Sequence, residues 1–252
     1  MPPIKAEFTG STGAALAARL DLPESDPKAF ALFAHCFTCG KDIPAAGRIA
    51  RRLNERGYAV LRFDFTGLGH SDGEFANTNF SSNVADVVAA GSWLGPEHRG
   101  PSLLIGHSLG GAAVLSAAGD IESCRAVVTI GAPAEAAHVE HLLRAATAEI
   151  EARGEAVVEL AGRPFRIRKS FLDDIRGVSV SERVATLRRA LLVMHSPVDS
   201  TVGVDNAARI FEAAKHPRSF VSLDDADHLL TSPADAEYAA EVLAAWASRF
   251  ID

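Results

Sequence analysis

The chain has 252 residues, 48% of them hydrophobic, enough to bury one large core. Its 25 Lys and Arg against 32 Asp and Glu leave a formal net charge of −7, and no basic block stands at either end, which argues against nucleic acid or an anionic membrane as partner. The run Met1 to Glu7 lacks the basic-then-apolar order of a secretory signal, and no apolar stretch reaches the about 20 residues that span a bilayer, so a soluble cytoplasmic protein is expected.

Strand and helix patterns alternate along most of the chain. Ala29 to Ala34 is a continuous apolar run, as in a strand covered on both faces. A helix follows through Ile43, Ala46, Ala50 and Leu53, stopped by Gly57, and Tyr58 to Phe63 is the next strand. After a loop through Gly67, Gly69 and Gly73, Ser82 is expected to cap a helix whose inner face is Val84, Val87, Val88 and Leu94. Ser102 to Ile105 forms a strand, Ala112 to Ala118 a small-residue helix, and Ala126 to Ile130 another strand. From about Pro133 to Val184 the rhythm breaks: an exposed amphipathic helix through His138, His141 and Arg144 is expected, then two short strands, 157–160 and 165–168. Alternation resumes with a strand at 190–194, a helix at 206–214, a strand at 219–223 and a last helix opening at Ser232-Pro233. The pattern predicts one α/β domain over residues 1–252, with a mostly parallel sheet, helices on both faces and a small lid insertion at about 133–184.

Between strand and helix stands Gly106-His107-Ser108-Leu109-Gly110-Gly111, a G-x-S-x-G pattern in the context that puts a serine on a sharp strand-to-helix turn. A serine hydroxyl needs a base to take its proton and an acid to orient that base. Asp199 and His228 follow the two later strands, in the chain order Ser, Asp, His that such a site requires. The rivals are less well placed. His35 and His107 precede turns, His195 is expected to shape the Asp199 loop, and Asp224, Asp225 and Asp227 are too near His228 in sequence to aim at its Nδ1. The developing oxyanion needs backbone donors: Leu109 after the serine, and Phe37, with Cys36 as runner-up, in the loop after the early strand. Asp64 reads as a loop anchor, and Arg163, Arg166, Arg168 and Lys169 as a solvated charge run, with attraction of an acidic substrate as the alternative.

Three cysteines, an odd number, argue against a disulfide framework. Cys36 and Cys39 form a C-x-x-C placed as in thioredoxin-like redox sites, but no leading strand–helix–strand unit precedes it. A zinc site would want a second ligand pair, which Cys124 alone does not supply. The preferred reading is small residues filling a crowded loop, with no metal and no cofactor.

The strand ending in Ala34-His35, the Asp64–Ser71 turn, the GHSLGG stretch, Asp199 and Asp227-His228 fall in the order of the α/β-hydrolases, which the chain resembles over essentially its whole length. More narrowly, Ala34 to Cys39 and Phe75 to Phe80 resemble the hydrolase half of proteins fused to an OsmC-type domain. The resemblance implies Ser108, Asp199 and His228 as a triad. It departs at Cys36, where the family usually has Gly, and no OsmC-type domain is expected in the 252 residues, which puts a redox role in doubt. The expected activity is hydrolysis of small-molecule carboxylic esters of small to medium acyl chains through an acyl-enzyme on Ser108, with acyl transfer to alcohols as a side activity. The alternatives are a peroxide-related thiol-redox protein using Cys36 and Cys39, and a non-catalytic binder of the same fold.

Overall fold

The computed structural model describes residues 3–251; Met1 and Pro2, the start of the run read for a secretory signal, and Asp252 lie outside the described residues. The chain opens with β1 (Ile4–Thr9) and β2 (Ala15–Asp21), an antiparallel hairpin in register from Ile4–Leu20 to Thr9–Ala15. Sequence reading passes over this pair. Its signal is period-two: Leu16, Ala18 and Leu20 are buried while the residues between them are half-exposed, with Gly10 and Gly13 in the intervening turn.

The alternating units follow as β3 (Ala29–Ala34), α1 (Pro44–Glu55), β4 (Tyr58–Phe63), α2 (Phe80–His98), β5 (Leu103–His107), α3 (Leu109–Ala117) and β6 (Ala126–Ile130). Residues 131–189 then leave the sheet through α4 (Glu140–Leu143), α5 (Thr147–Arg153), β7 (Glu155–Leu160), β8 (Arg163–Arg168), α6 (Lys169–Gly177) and α7 (Val180–Thr186). The chain returns as β9 (Ala190–His195), α8 (Asp205–Ala213), β10 (Arg218–Ser222) and α9 (Pro233–Ala247). The eight-stranded sheet runs β1-β2-β4-β3-β5-β6-β9-β10, antiparallel only where β2 meets β1 and β4.

β3, β4, β5, β6 and β9 are buried along their whole length, which is why they read as unbroken apolar runs. Their residues alternate between two cores. Leu104, Val127, Leu191 and Val193 join α2, α3 and the excursion, whereas Leu103, Ile105, Val128, Leu192 and Met194 join α1 and α9. The sheet is thereby sandwiched, and the C-terminal ends of its parallel strands share one edge.

Two local expectations are corrected. α2 is capped by Asn79, whose side chain accepts the Ser82 N–H at 2.8 Å, while the Ser82 hydroxyl accepts the Asn79 N–H at 2.9 Å. The helix starts earlier than a Ser82 cap would allow because Phe80 is a fully buried member of the core and belongs to the helix's inner face. The amphipathic helix expected through His138 and Arg144 is a short 3-10 turn, α4 and α5. Pieces this short are not stable alone; Arg176 of α6 ties α4 to α5 through Glu140 at 3.0 Å and Glu151 at 2.9 Å. The two short strands of the excursion do form, pairing antiparallel as β7 and β8. Phe171, Leu172, Ile175, Val180 and Val184 of α6 and α7 are buried in the α2–α3 core. Among the described residues no helix is long and apolar enough to cross a membrane.

Candidate active site

β5 delivers the chain into Ser108, whose φ of +55° lies in the left-handed region that non-glycine residues rarely adopt. The strain, of order 1–3 kcal/mol, is held by the Ser108 N–H on the Ile130 carbonyl at 2.9 Å and the Gly111 N–H on the Ser108 carbonyl at 2.8 Å. The glycines around it answer to close approach. A Cβ at Gly106 would stand 2.3 Å from the Gly110 oxygen, and one at Gly110 would stand 2.4 Å from the carbonyl oxygens of Ala34 and His35. α3 therefore lies against the end of β3, bringing the loop at 35–41 beside the serine.

The loops after β9 and β10 supply Asp199 and His228. The Ser108 hydroxyl is 3.0 Å from His228 Nε2, and His228 Nδ1–H donates to Asp199 Oδ2 at 2.7 Å. Asp199 Oδ1 accepts the N–H groups of Thr201 and Val202 at 2.8 and 2.9 Å. Burial works to raise this carboxyl, but the His228 hydrogen bond and the two backbone donors outweigh it and hold Asp199 below the usual carboxylate range. His195, fully buried, donates Nε2–H to the Val202 carbonyl at 2.8 Å and so shapes the Asp199 loop, in keeping with its sequence reading. Asp227 closes its own turn, accepting from Leu229 and Thr231, and takes no part in orienting His228. The arrangement can move the serine proton to the imidazole while the carboxylate steadies the resulting cation.

Sequence reasoning set His107 aside, yet it supports the base. Its Nε2–H donates to the His228 carbonyl at 2.6 Å, and the two rings stand 5.1 Å apart. Burial, joined by the neighbouring His228, lowers its pKa to about 4. The only sequence signal for this contact is the position of His107 inside the serine motif.

Across Ser108 lie the two expected oxyanion donors. Leu109 is the first residue of α3, where N–H groups lack partners within the helix and the helix dipole favours negative charge. Phe37 borders the same small cavity as Leu109, about 10 Å³, and its N–H makes no hydrogen bond among the described residues. Cys36, the other expected donor, has its carbonyl engaged by His35 Nδ1–H at 2.8 Å and by the Cys39 N–H at 3.1 Å. The expectation that Cys36 and Cys39 merely fill space is corrected: the turn brings them together and they form a disulfide. Cys124 is free, and burial pushes its thiol up to about 12.

Residues 25–161, more than half of the chain, match the family described as serine aminopeptidase, S33. The chain belongs to this family of α/β serine hydrolases. It is 52% identical to the esterase domain of a Rhodothermus marinus protein, over 100% of both chains and with a TM-score of 0.82. It is 28% identical to palmitoyl-protein thioesterase ABHD10, mitochondrial, of Mus musculus over 186 residues, 71% of this chain, and the match spans 62% of that relative's length. Est1E from Butyrivibrio proteoclasticus, solved with ferulic acid, shares the fold with a TM-score of 0.79 at 21% identity, covering 98% of this chain and 99% of the other.

Around the candidate site the hydrolase is braced by polar and aromatic contacts. Asp64 accepts the Lys41 N–H at 2.6 Å, the Lys41 ammonium at 2.7 Å and the His70 N–H at 2.9 Å, so it anchors the loop after β4 to the loop after β3. Phe37 stacks on Phe171 of α6 with centroids 5.5 Å apart and touches Phe75 at 6.0 Å; Phe75 in turn meets Phe165 of β8 at 4.9 Å. The basic residues of the excursion are spent locally: Arg166 and Arg168 on Glu155, Lys169 on Asp173, and Arg163 on the Thr38 carbonyl. Among the described residues no group of three or more His, Cys, Asp or Glu is placed to hold a metal ion. A depression of about 720 Å³ lies at the opposite ends of the strands, bordered by Lys28, Ser102 and Arg125, away from Ser108.

Proposed function

We propose that this hydrolase cleaves carboxylic esters of small to medium acyl chains through an acyl-enzyme on Ser108. The observation that carries the reading is the continuous hydrogen-bonded chain from the Ser108 hydroxyl through His228 to Asp199, at 3.0 and 2.7 Å. Ser108 Oγ attacks the acyl carbon as His228 Nε2 takes its proton, Asp199 steadies the imidazolium, and the N–H groups of Leu109 and Phe37 receive the developing oxyanion. The imidazolium then protonates the departing alcohol. Water activated by the same histidine releases the acid, and the apolar rings beside Phe37 support competition by alcohols at this step, giving acyl transfer. The packed group Phe37, Phe75, Phe165 and Phe171 supports short acyl groups, and residues 131–189, which carry two of these rings, serve as a lid over the site. The identity to an esterase domain favours oxygen esters; the similarity to a palmitoyl-protein thioesterase favours thioesters as a second reading.

The test is Ser108→Ala assayed on a short-chain aryl ester, where turnover near that of the wild type sinks the reading. A series of esters of rising chain length, beside the matching thioester and anilide and with or without added alcohol, fixes acyl size, leaving group and acceptor.

A further inference from the structure

The Cys36–Cys39 bridge sits where the mechanism needs a rigid backbone and is left unused by the mechanism itself. A peptide unit is planar and trans, so the Cys36 carbonyl and the Phe37 N–H point in opposite directions. Whatever grips that carbonyl aims that N–H. Two donors grip it, His35 Nδ1–H at 2.8 Å and the Cys39 N–H at 3.1 Å. His35 is fully buried and its Nε2 accepts the Phe65 N–H at 3.4 Å, which fixes the tautomer that donates to Cys36. The disulfide closes the same four-residue turn covalently. Inside the turn Thr38 has a φ of +60°, a conformation that a β-branched residue leaves readily once released.

We propose that His35 and the Cys36–Cys39 disulfide are positioning residues that together aim the Phe37 N–H at the oxyanion, so that opening the bridge slows acyl transfer without weakening substrate binding. The proposal rests on the reading of Ser108 as the nucleophile. The bridge is accessible from one side: Cys36 is buried, while Cys39 is half-buried and borders a surface depression of about 320 Å³. A thiolate of a dithiol reductant attacks Cys39 Sγ and the Cys36 sulfur leaves as thiolate, taking a proton. The second thiol of the reagent then attacks the mixed disulfide and releases Cys39. The dithiol ends as a cyclic disulfide, having passed two electrons and two protons to the protein pair.

The experiment compares kcat and KM for a short-chain aryl ester in the bridged enzyme, after reduction by dithiothreitol with two new reactive thiols counted, and after reoxidation. A Cys36→Ala/Cys39→Ala variant controls for the reagent. The expected result is a kcat lower by roughly tenfold on reduction, part of the about 10²–10³-fold that loss of an oxyanion donor costs. KM stays within about twofold and the circular dichroism is unchanged. Reoxidation restores kcat, and the double variant stays at the reduced level whatever the dithiol. His35→Asn, whose amide can replace the Nδ1–H donor, keeps more kcat than His35→Leu. Equal kcat in the bridged and reduced enzyme overturns the proposal, as does a loss carried by KM or by unfolding. A Ser108→Ala variant that still turns over the ester overturns the parent reading instead.

Discussion

Asp64 and Asp199 are both buried carboxylates held below the usual range, and each lies within 4.0 Å of an imidazole nitrogen. Asp64 spends its oxygens on Lys41 and on the His70 N–H, and the nearby His35 uses its nitrogens on the Cys36 carbonyl and the Phe65 N–H. Asp199 instead gives Oδ2 to His228, whose other nitrogen is left facing a serine hydroxyl. A buried Asp–His neighbourhood therefore says little by itself. What separates a brace from a candidate catalytic pair is whether the far nitrogen of the ring ends on the backbone or on a nucleophile.

Substitution separates the two sites from the largest effect to the smallest. Ser108→Ala is expected to lower kcat for an aryl ester by about 10⁴-fold or more while leaving the urea midpoint near that of the wild type. Asp199→Asn keeps the shape of the site but removes the acceptor that orients His228, and a fall of about 10³–10⁴-fold in kcat is expected. At the other site Lys41→Met leaves the Asp64 carboxylate buried without its ammonium. The expected cost is about 3–5 kcal/mol in urea unfolding, with phosphonate labelling of Ser108 persisting in the fraction that stays folded; intact stability in this variant would contradict the anchoring role.

Acid weakens both sites in the same direction. His107 titrates near 4 in the folded protein against 6.5 for the free side chain, so the unfolded chain binds a proton first as pH falls. Its contribution is complete above about 6.5 and declines toward pH 4, by about 3 kcal/mol in all. His35, also lowered, first by burial, acts in the same direction. The lowered carboxyls of Asp64 and Asp199 act the same way at more acid pH: their contributions are complete above the ordinary carboxylate value, near 4, and are lost as pH falls through the depressed ones. His107→Gln keeps a donor for the His228 carbonyl and does not titrate, so its urea midpoint should change less than that of the wild type between pH 6.5 and 4.5.

The parallel strands and the order Ser108, Asp199, His228 were legible because burial on both faces writes continuous apolar runs and the site residues follow directly at strand ends. The β1–β2 hairpin was missed because its pattern is weaker: only one face of β2 is buried, and the apolar residues there are Ala and Leu rather than β-branched. The Asn79 cap was hidden because Phe80, a strong core residue, precedes the apolar positions taken as the start of the helix. Contacts that depend on tertiary approach left no local trace. The grip of His107 on the His228 carbonyl spans 121 residues. The Cys36–Cys39 pair was visible as a C-x-x-C, but the spacing alone did not say that the turn through Thr38 would close it as a disulfide.

The ring of Phe37 rests on Phe171 of α6, a helix rooted in the excursion, while its backbone N–H is the proposed oxyanion donor. The proposed donor is thus propped by the excursion between β6 and β9. Swapping that excursion to admit a new acyl group would shift the donor as well. Under the proposed mechanism, an engineer who reshapes the excursion to change substrate range should expect to retune turnover as well.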